Sequence, residues 1–250
     1  LEDDLAGLVV RVDSPGGDVL PSDLVADAVR KLAASKPVIV SQGYLAASGG
    51  YWLSMYADAI VAAPNTVTGS IGVIAGWVYN AGLKERLGFS TDYVKVGAHA
   101  DLGFGMSLPL VGSLPDRKLS AEERAKIERL IRTMYGDFVD KVAAGRGRDS
   151  AEIEALAQGR VWSGTAALER GLVDRLGGLE VAIDMARERA GIEPGARIQL
   201  AEFPARGLVN PGLLNPRLIA LLSGRTDTPV AADGVRCDVD GNVWAGAGEG

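Results

Sequence analysis

Short apolar strands alternate with helical segments in the first sixty residues, and this alternation constrains the fold more than any other feature. The apolar runs at 8–12, 38–40 and 59–62 have the length and content of buried strands. Between them, 21–35 carries apolar residues at helical spacing behind a predicted N-cap at Ser22, and 49–57 is predicted to be a shorter helix. Strands and helices in this order usually form a parallel sheet covered by helices. The sequence therefore predicts an α/β fold.

The rest of the chain is predicted to be mainly helical. Helices are predicted over 78–87, 120–143, about 150–157, 164–171 and 179–190, with a capping box of Ser120 and Glu123 at the second of them. A strand is predicted over 93–96 and a long loop over 100–118. We expect one domain over 1–200 and a Pro/Gly-rich extension over 201–250, with a short helix at 218–222 and a mobile stretch or linker over 224–250.

Composition excludes several classes of function. The 250 residues carry 26 basic and 32 acidic side chains, and the net charge of −6 argues against a general nucleic-acid binder. A single cysteine, Cys237, excludes an internal disulfide framework and a Cys-rich zinc site. Asp13 and Asp18 lack a third metal ligand at suitable spacing, and no Gly-Lys-Ser/Thr phosphate-binding sequence is present. The sequence thus indicates no metal and no other cofactor.

Targeting features are also missing from the sequence. It contains no run of 18 apolar residues and no signal peptide, so we expect the chain itself to be soluble. Because the chain enters its first strand almost at once, we expect a fragment whose upstream portion has been cut away.

The segment Tyr44-Leu-Ala-Ala-Ser-Gly-Gly-Tyr51 places Ser48 between small residues and a glycine pair. A serine in such a tight turn exposes its hydroxyl beside backbone N–H groups, as an acyl-transfer nucleophile requires. About thirty residues upstream, Asp13-Ser-Pro-Gly-Gly17 adds a second glycine pair after an apolar strand. Together the two segments indicate a serine hydrolase.

The segment around Ser48 resembles the nucleophile motif of the signal peptide peptidase A family, the protease-IV-like serine peptidases. Four further segments resemble that family's other signatures and follow the family's order. They are Val12-Asp-Ser-Pro-Gly-Gly17, Pro64-Asn-Thr-Val-Thr-Gly-Ser-Ile-Gly72, Gly159-Arg-Val-Trp-Ser-Gly164 and Gly171-Leu-Val-Asp-Arg-Leu-Gly177. The resemblance covers about residues 7–190.

This resemblance implies a Clp-protease/crotonase-like fold and a Ser-Lys catalytic dyad. Ser48 would be the nucleophile, and the backbone N–H groups of Gly17 and Gly49 would form the oxyanion hole. The hydroxyl of Ser70 would hydrogen-bond the lysine amine and help to orient it.

The general-base lysine is absent from its expected position. Where single-domain members of the family carry a segment resembling Lys-Ser-Gly-Ala-His-Lys-Asp, this chain has Lys95-Val-Gly-Ala-His-Ala-Asp101, so Ala100 occupies the lysine position. Three interpretations remain open. The chain is the C-terminal half of a long-form member whose lysine lies in another half, an engineered Lys-to-Ala variant, or a pseudo-enzyme that only binds peptides.

Other residues could in principle replace the missing base. His99 is the only histidine, but on a predicted strand it would face away from position 100, and Lys95 would as well. Lys84 and Lys118 would qualify only if a loop folded back. We therefore expect none of them to act as the base.

The leading hypothesis is a serine endopeptidase that cleaves apolar peptides such as remnant signal peptides. The resemblance implies a homo-oligomer or a partner half-domain that supplies the lysine, and a membrane-associated location through a segment absent here. The alternatives are a non-catalytic peptide-binding protein and, less favoured, a crotonase-type acyl-CoA enzyme.

Overall fold

The computed structural model describes residues 5–108 and 112–203, together with the backbone at 236–237 and 243–244. In chain order the elements are β1 (Leu8–Ser14), α1 (Val19–Ala33), β2 (Val38–Ala47), α2 (Gly49–Ser54), β3 (Ala59–Ala62), β4 (Val67–Gly69), α3 (Leu83–Arg86), β5 (Gly105–Leu108), β6 (Gly112–Pro115), α4 (Ala121–Arg146), α5 (Ser150–Leu156), β7 (Val161–Ser163), α6 (Gly164–Glu169), β8 (Arg175–Leu176), α7 (Leu179–Arg189), β9 (Arg236–Cys237) and β10 (Val243–Trp244).

Strand β2 is the centre of a mainly parallel sheet. Its first half pairs in parallel with β1 on one side and β3 on the other, and β8 adds to β3 in parallel. Its second half, Leu45 to Ala47, pairs in parallel with β4, and β7 closes that edge in the antiparallel direction. The predicted α/β class and its parallel strands are therefore confirmed.

The register of β1 against β2 places the two glycine pairs together. Pairing runs from Leu8 opposite Val38 to Val12 opposite Gln42 and then shifts, so that Ser14 lies opposite Ala46. Parallel strands end at the same edge of a sheet. Pro15 to Gly17, which follow β1, and Ser48 with Gly49, which follow β2, consequently meet at one edge.

Helices bury apolar side chains on both faces of the sheet. The larger core contains Tyr51, Met55 and Ile60, and helices α4 and α5 add Phe138 and Ile153 to it. A smaller core joins the opposite face of the sheet to α7; it consists mainly of Ile39, Val61 and Ala182. A sheet covered on both faces explains why the start of β2, Val38 to Val40, and all of β3 are continuously apolar rather than alternating.

Most predicted helices form, with shifted ends. Helix α4 begins at the predicted capping box, in which the Ser120 side chain accepts from the Glu123 N–H and the Glu123 carboxylate accepts from the Ser120 N–H. It extends beyond the predicted end to Gly147, whose left-handed conformation terminates it. The helix predicted over 78–87 is only α3, because Ala81 and Gly82 both have positive φ angles and break any earlier turn.

Two predictions in the 93–118 region are wrong. Residues 93–96 form no strand, and Val94 and Val96 are 99% and 93% exposed, because no strand in the described part of the chain lies beside this segment to pair with it. The predicted loop over 100–118 instead contains the antiparallel pair β5 and β6, with Gly105 opposite Pro115.

The predicted features of the C-terminal extension lie largely outside the described residues. These are the helix at 218–222 and the mobile stretch over 224–250, of which only the antiparallel pair of β9 and β10 is described. None of the helices in the described part of the chain has the length and apolar character that crossing a membrane requires.

Candidate active site

Ser48 lies at the turn between β2 and α2 in a strained conformation. Its φ of 54° and ψ of −119° lie in a region that non-glycine residues rarely occupy, at a cost of about 1–3 kcal/mol. The surrounding backbone holds it there, since the Ser48 N–H donates to the Gly69 carbonyl at 2.9 Å and its carbonyl accepts from the Trp52 N–H at 2.9 Å. The side chain is partly exposed. This arrangement presents a serine hydroxyl at the edge of the sheet.

The backbone amides of Gly17 and Gly49 lie side by side next to Ser48. A Cβ atom on Gly49 would stand 3.0 Å from the Gly17 nitrogen and 2.6 Å from Oγ of Ser22. Gly16 has a φ of 106°, and a Cβ atom there would stand 2.7 Å from the Gly49 nitrogen. Within residues 5–108 and 112–203, neither the Gly17 nor the Gly49 amide has a protein acceptor. Two unsatisfied donors beside a serine hydroxyl fit the geometry of an oxyanion hole.

A small cavity of about 80 Å³ opens beside these groups. Ser48, Gly17 and Gly49 form its polar side. The remaining lining is Val19, Ser22, Trp52, Gly72, Val73, Ile74 and Phe138. This lining contains no ionisable side chain, so the cavity that holds the serine holds no general base among the described residues.

Ser70 lies next to the backbone that holds Ser48. It follows Gly69, the acceptor of the Ser48 N–H, and has a φ of 49°. Its own N–H donates to the Arg160 carbonyl at 2.8 Å, and its hydroxyl has no partner in the described part of the chain. Ser70 is not part of the cavity lining, and its role toward a lysine stays a prediction.

Ala100 lies in an exposed turn rather than on the predicted strand. The argument that His99 faces away because strand residues alternate is therefore wrong, but His99 is occupied elsewhere. Its Nδ1 lies 2.9 Å from Oε1 of Glu123 and its Nε2 3.4 Å from Oε1 of Glu122. His99 is thus held at the start of α4 and lines a second surface depression that shares no residue with the Ser48 cavity.

Two of the three candidate lysines are held in ion pairs, and the third is exposed. Lys95 forms an ion pair with Asp101 at 2.9 Å, and Lys84 forms one with Asp116 at 2.5 Å. Lys118 is exposed. None of these three lines the cavity beside Ser48.

A buried ion network near Ala100 was not predicted from the sequence. Arg117 contacts Asp101 at 2.8 Å and Glu123 at 2.7 Å, and both carboxylates are almost fully buried. Hydrogen bonds from Arg117 hold the pKa of each carboxyl well below its ordinary value, and those carboxylates raise the pKa of Arg117. Only Glu123 carried a sequence signal, as the capping residue. The network fixes the turn that carries Ala100 to the start of α4.

Residues 30–193 of the chain match the sequence pattern of peptidase family S49. The chain belongs to this family. The expected membership in the signal peptide peptidase A group of serine peptidases is thereby confirmed, and the Clp-protease-like fold of S49 peptidases agrees with the observed α/β sheet.

Proteins similar to this chain are named as proteases or signal peptide peptidases. The chain is 37% identical to the chloroplastic serine protease SPPA of Arabidopsis thaliana, over 94% of this chain and 34% of that protein. It is 39% identical to protease 4 of Salmonella typhi, over 77% of this chain and 30% of that protein. It is also 37% identical to a putative signal peptide peptidase SppA of Enterococcus faecium, over 73% and 50% of the two chains. This S49 chain therefore spans between 30% and 50% of the length of these three relatives.

Proposed function

We propose that this chain carries the nucleophile and the oxyanion hole of a serine endopeptidase of the Ser-Lys dyad type, which cleaves apolar peptides such as remnant signal peptides. The observation that carries the proposal is the strained Ser48 beside the unsatisfied amides of Gly17 and Gly49. Strain of this kind persists only where surrounding structure enforces it, and it is concentrated at functional sites. An acyl-CoA enzyme of the crotonase type needs the two amides but has no use for a strained serine.

The residues suggest a sequence of steps. Ser48 Oγ attacks the scissile carbonyl carbon while a lysine amine accepts its proton, and the carbonyl oxygen becomes an oxyanion. The N–H groups of Gly17 and Gly49 donate to that oxyanion, and one such donor is worth about 3 kcal/mol of barrier. The lysine then returns the proton to the leaving amine, and an acyl-serine remains for water to hydrolyse. Ser70 would orient the lysine amine.

The lysine is proposed to come from another domain or subunit. Ala100 cannot accept a proton, and the lining of the Ser48 cavity includes no base. The Arabidopsis and Salmonella relatives are about three times as long as the matched region, which leaves room for a second half that carries the lysine. Membrane association belongs to the same proposal, through a segment outside this sequence.

Covalent labelling with a peptidyl phosphonate tests the proposal. Three proteins are compared by mass spectrometry: the chain itself, its Ala100→Lys variant and its Ser48→Ala variant. We expect labelling at Ser48 in the Ala100→Lys protein, in which a neighbouring copy of the chain would bring the new lysine to Ser48, and little or none in the other two. Equal labelling of Ser48 with and without the new lysine would identify a different base.

Absence of labelling in all three proteins has a separate meaning. It would favour the peptide-binding pseudo-enzyme, or a site that also needs its missing half. Addition of the missing half of a long-form relative then distinguishes these two cases, since only an incomplete enzyme would regain labelling.

A further inference from the structure

The Ser48 cavity is bounded by two stacked aromatic side chains that the catalytic steps do not use. The rings of Trp52 and Phe138 stack with centroids 4.1 Å apart and planes inclined by 25°. Both residues are buried, and both line the cavity. Trp52 belongs to the helix that follows the nucleophile, whereas Phe138 comes from the distant α4. The pair, which we call the aromatic wall, therefore supplies the two aromatic side chains of the cavity lining.

A hydrogen bond and an ion pair hold the aromatic wall from outside. The indole Nε1–H of Trp52 donates to Oδ1 of Asp23 at 3.0 Å. Lys141 pairs with the same oxygen of Asp23 and lies 5.6 Å from the centroid of the Trp52 ring. Asp23 lies on α1 and Lys141 on α4, so one carboxylate connects three helices around the cavity.

We propose that Asp23 is a positioning residue that acts through Trp52, and that the aromatic wall it holds restricts the substrate residue preceding the scissile bond to small aliphatic side chains. This inference rests on the proposed function. When a substrate carbonyl accepts hydrogen bonds from the Gly17 and Gly49 amides, the Cβ atom of the same substrate residue is two bonds from the carbonyl carbon. The side chain of that residue therefore lies in the same cavity. The cavity's side chains other than Ser22 and Ser48 are apolar.

The volume of the cavity limits the size of the substrate side chain that it can hold. An apolar cavity of about 150 Å³ holds a benzene molecule, whereas this one measures about 80 Å³. Alanine or valine side chains fit, and a phenylalanine ring does not unless the aromatic wall moves. Because Asp23 fixes the indole, its loss would let Trp52 swing and would weaken this discrimination.

The test measures binding of short peptides that differ only in the residue at this position. Alanine, valine and phenylalanine versions are made as C-terminal boronates, which add to a serine hydroxyl, and as C-terminal amides, which cannot. Dissociation constants are measured by calorimetry on the Ala100→Lys protein, with and without each further substitution, because the chain alone lacks the base that the proposed function requires. We expect the valine boronate to bind at least tenfold more tightly than the phenylalanine boronate, a range reached by single-group differences in apolar pockets.

Variants of the aromatic wall and its anchor give the decisive comparison. In Asp23→Ala the preference for the valine peptide over the phenylalanine peptide should fall at least fivefold. Asp23→Asn keeps an oxygen acceptor for the indole and should retain this preference. Asp27→Ala is the matched control, since Asp27 lies one turn further along α1 and, among the described residues, pairs only with Arg30 and Lys31. Phe138→Leu should admit the phenylalanine peptide, and circular dichroism confirms that each variant is folded.

The outcomes separate the two proposals. Equal binding of boronates and amides, unchanged in Ser48→Ala, would count against Ser48 as the nucleophile. The relative affinities of the three amides would still test whether the aromatic wall limits the size of the substrate side chain. Equal affinity for valine and phenylalanine peptides would overturn the inference. So would a preference that Asp23→Ala and Asp27→Ala alter to the same extent.

Discussion

The phenol of Tyr51 donates a 2.9 Å hydrogen bond to the carbonyl of Leu172, and both residues are fully buried. Burial raises the pKa of Tyr51 far above its ordinary value, so the hydroxyl stays protonated and can donate at any physiological pH. This bond joins the helix behind Ser48 to the segment that leads into β8. The Tyr51→Phe variant leaves a buried carbonyl without this donor, and we expect it to lose about 1–3 kcal/mol of unfolding free energy.

Urea unfolding measures this loss. Tyr44→Phe is the control, because the Tyr44 side chain is 72% exposed. A Tyr51→Phe protein as stable as the Tyr44→Phe protein would mean that the hydrogen bond to Leu172 contributes nothing.

Replacing Ser48 by glycine should stabilise the chain. The strained φ and ψ at Ser48 cost about 1–3 kcal/mol, whereas glycine adopts them freely but adds about 0.5–1 kcal/mol of unfolded-state entropy. The strain is the larger effect, so we expect Ser48→Gly to be about 1 kcal/mol more stable than Ser48→Ala, which keeps the strain. Thermal denaturation of the two variants, neither of which can be acylated, compares them without interference from activity. Equal melting temperatures would show that the turn is relaxed.

The two glycines of the oxyanion hole should differ in their tolerance of alanine. A Cβ atom on Gly17 meets nothing within 4 Å, and the backbone N–H is retained. A Cβ atom on Gly49 meets Ser22 and the Gly17 amide. We expect Gly17→Ala to keep phosphonate labelling within about threefold and Gly49→Ala to reduce it at least a hundredfold, the scale of one lost oxyanion donor.

Both variants are made in the Ala100→Lys background so that labelling is measurable. If Gly17→Ala also abolished labelling while remaining folded, the exposed face of Gly17 would have to contact substrate directly.

The parts of the fold that were predictable depend on local patterns. Strand β3 was predicted at its observed bounds, Ala59–Ala62, because a short apolar run is a sufficient signal for a strand buried on both faces. The run at 93–96 also carries valines but pairs with no strand among the described residues, and pairing is not visible in a local pattern. The proximity of Gly17 to Ser48 was implied by family resemblance, and the β1–β2 register supplies its physical cause.

Contacts between distant residues were not predictable. Asp23 and Lys141 lie on different helices, and no local sequence pattern around either residue predicts its contact with Trp52. The Arg117 network likewise depends on a turn whose course is set by tertiary packing. From sequence alone, a charged residue is predicted to be a solvated surface group, because its ion-pair partner is known only from the folded structure.

Acid should weaken the attachment of the Ala100 turn to α4. Asp101 faces Arg117, Lys95 and the Tyr93 hydroxyl, while Glu123 faces Arg117, His99 and the Ser120 N–H. Because Arg117 lowers both carboxyl pKa values in the folded state, this contribution to stability is present above the ordinary carboxyl values of about 4. It is lost as the pH falls from there toward the lower folded-state values. Stability should therefore decline between about pH 5 and pH 2.

Urea midpoints of the chain and of an Asp101→Asn, Glu123→Gln double variant, measured across that pH range, test this assignment. The double variant should be less stable at neutral pH and should show a shallower decline in acid. Glu180→Gln, which removes an exposed carboxyl at the start of α7, is the control and should leave the slope unchanged. If the double variant kept the full slope, the acid sensitivity would arise from other carboxylates, and the Arg117 network would not be what holds the Ala100 turn in place.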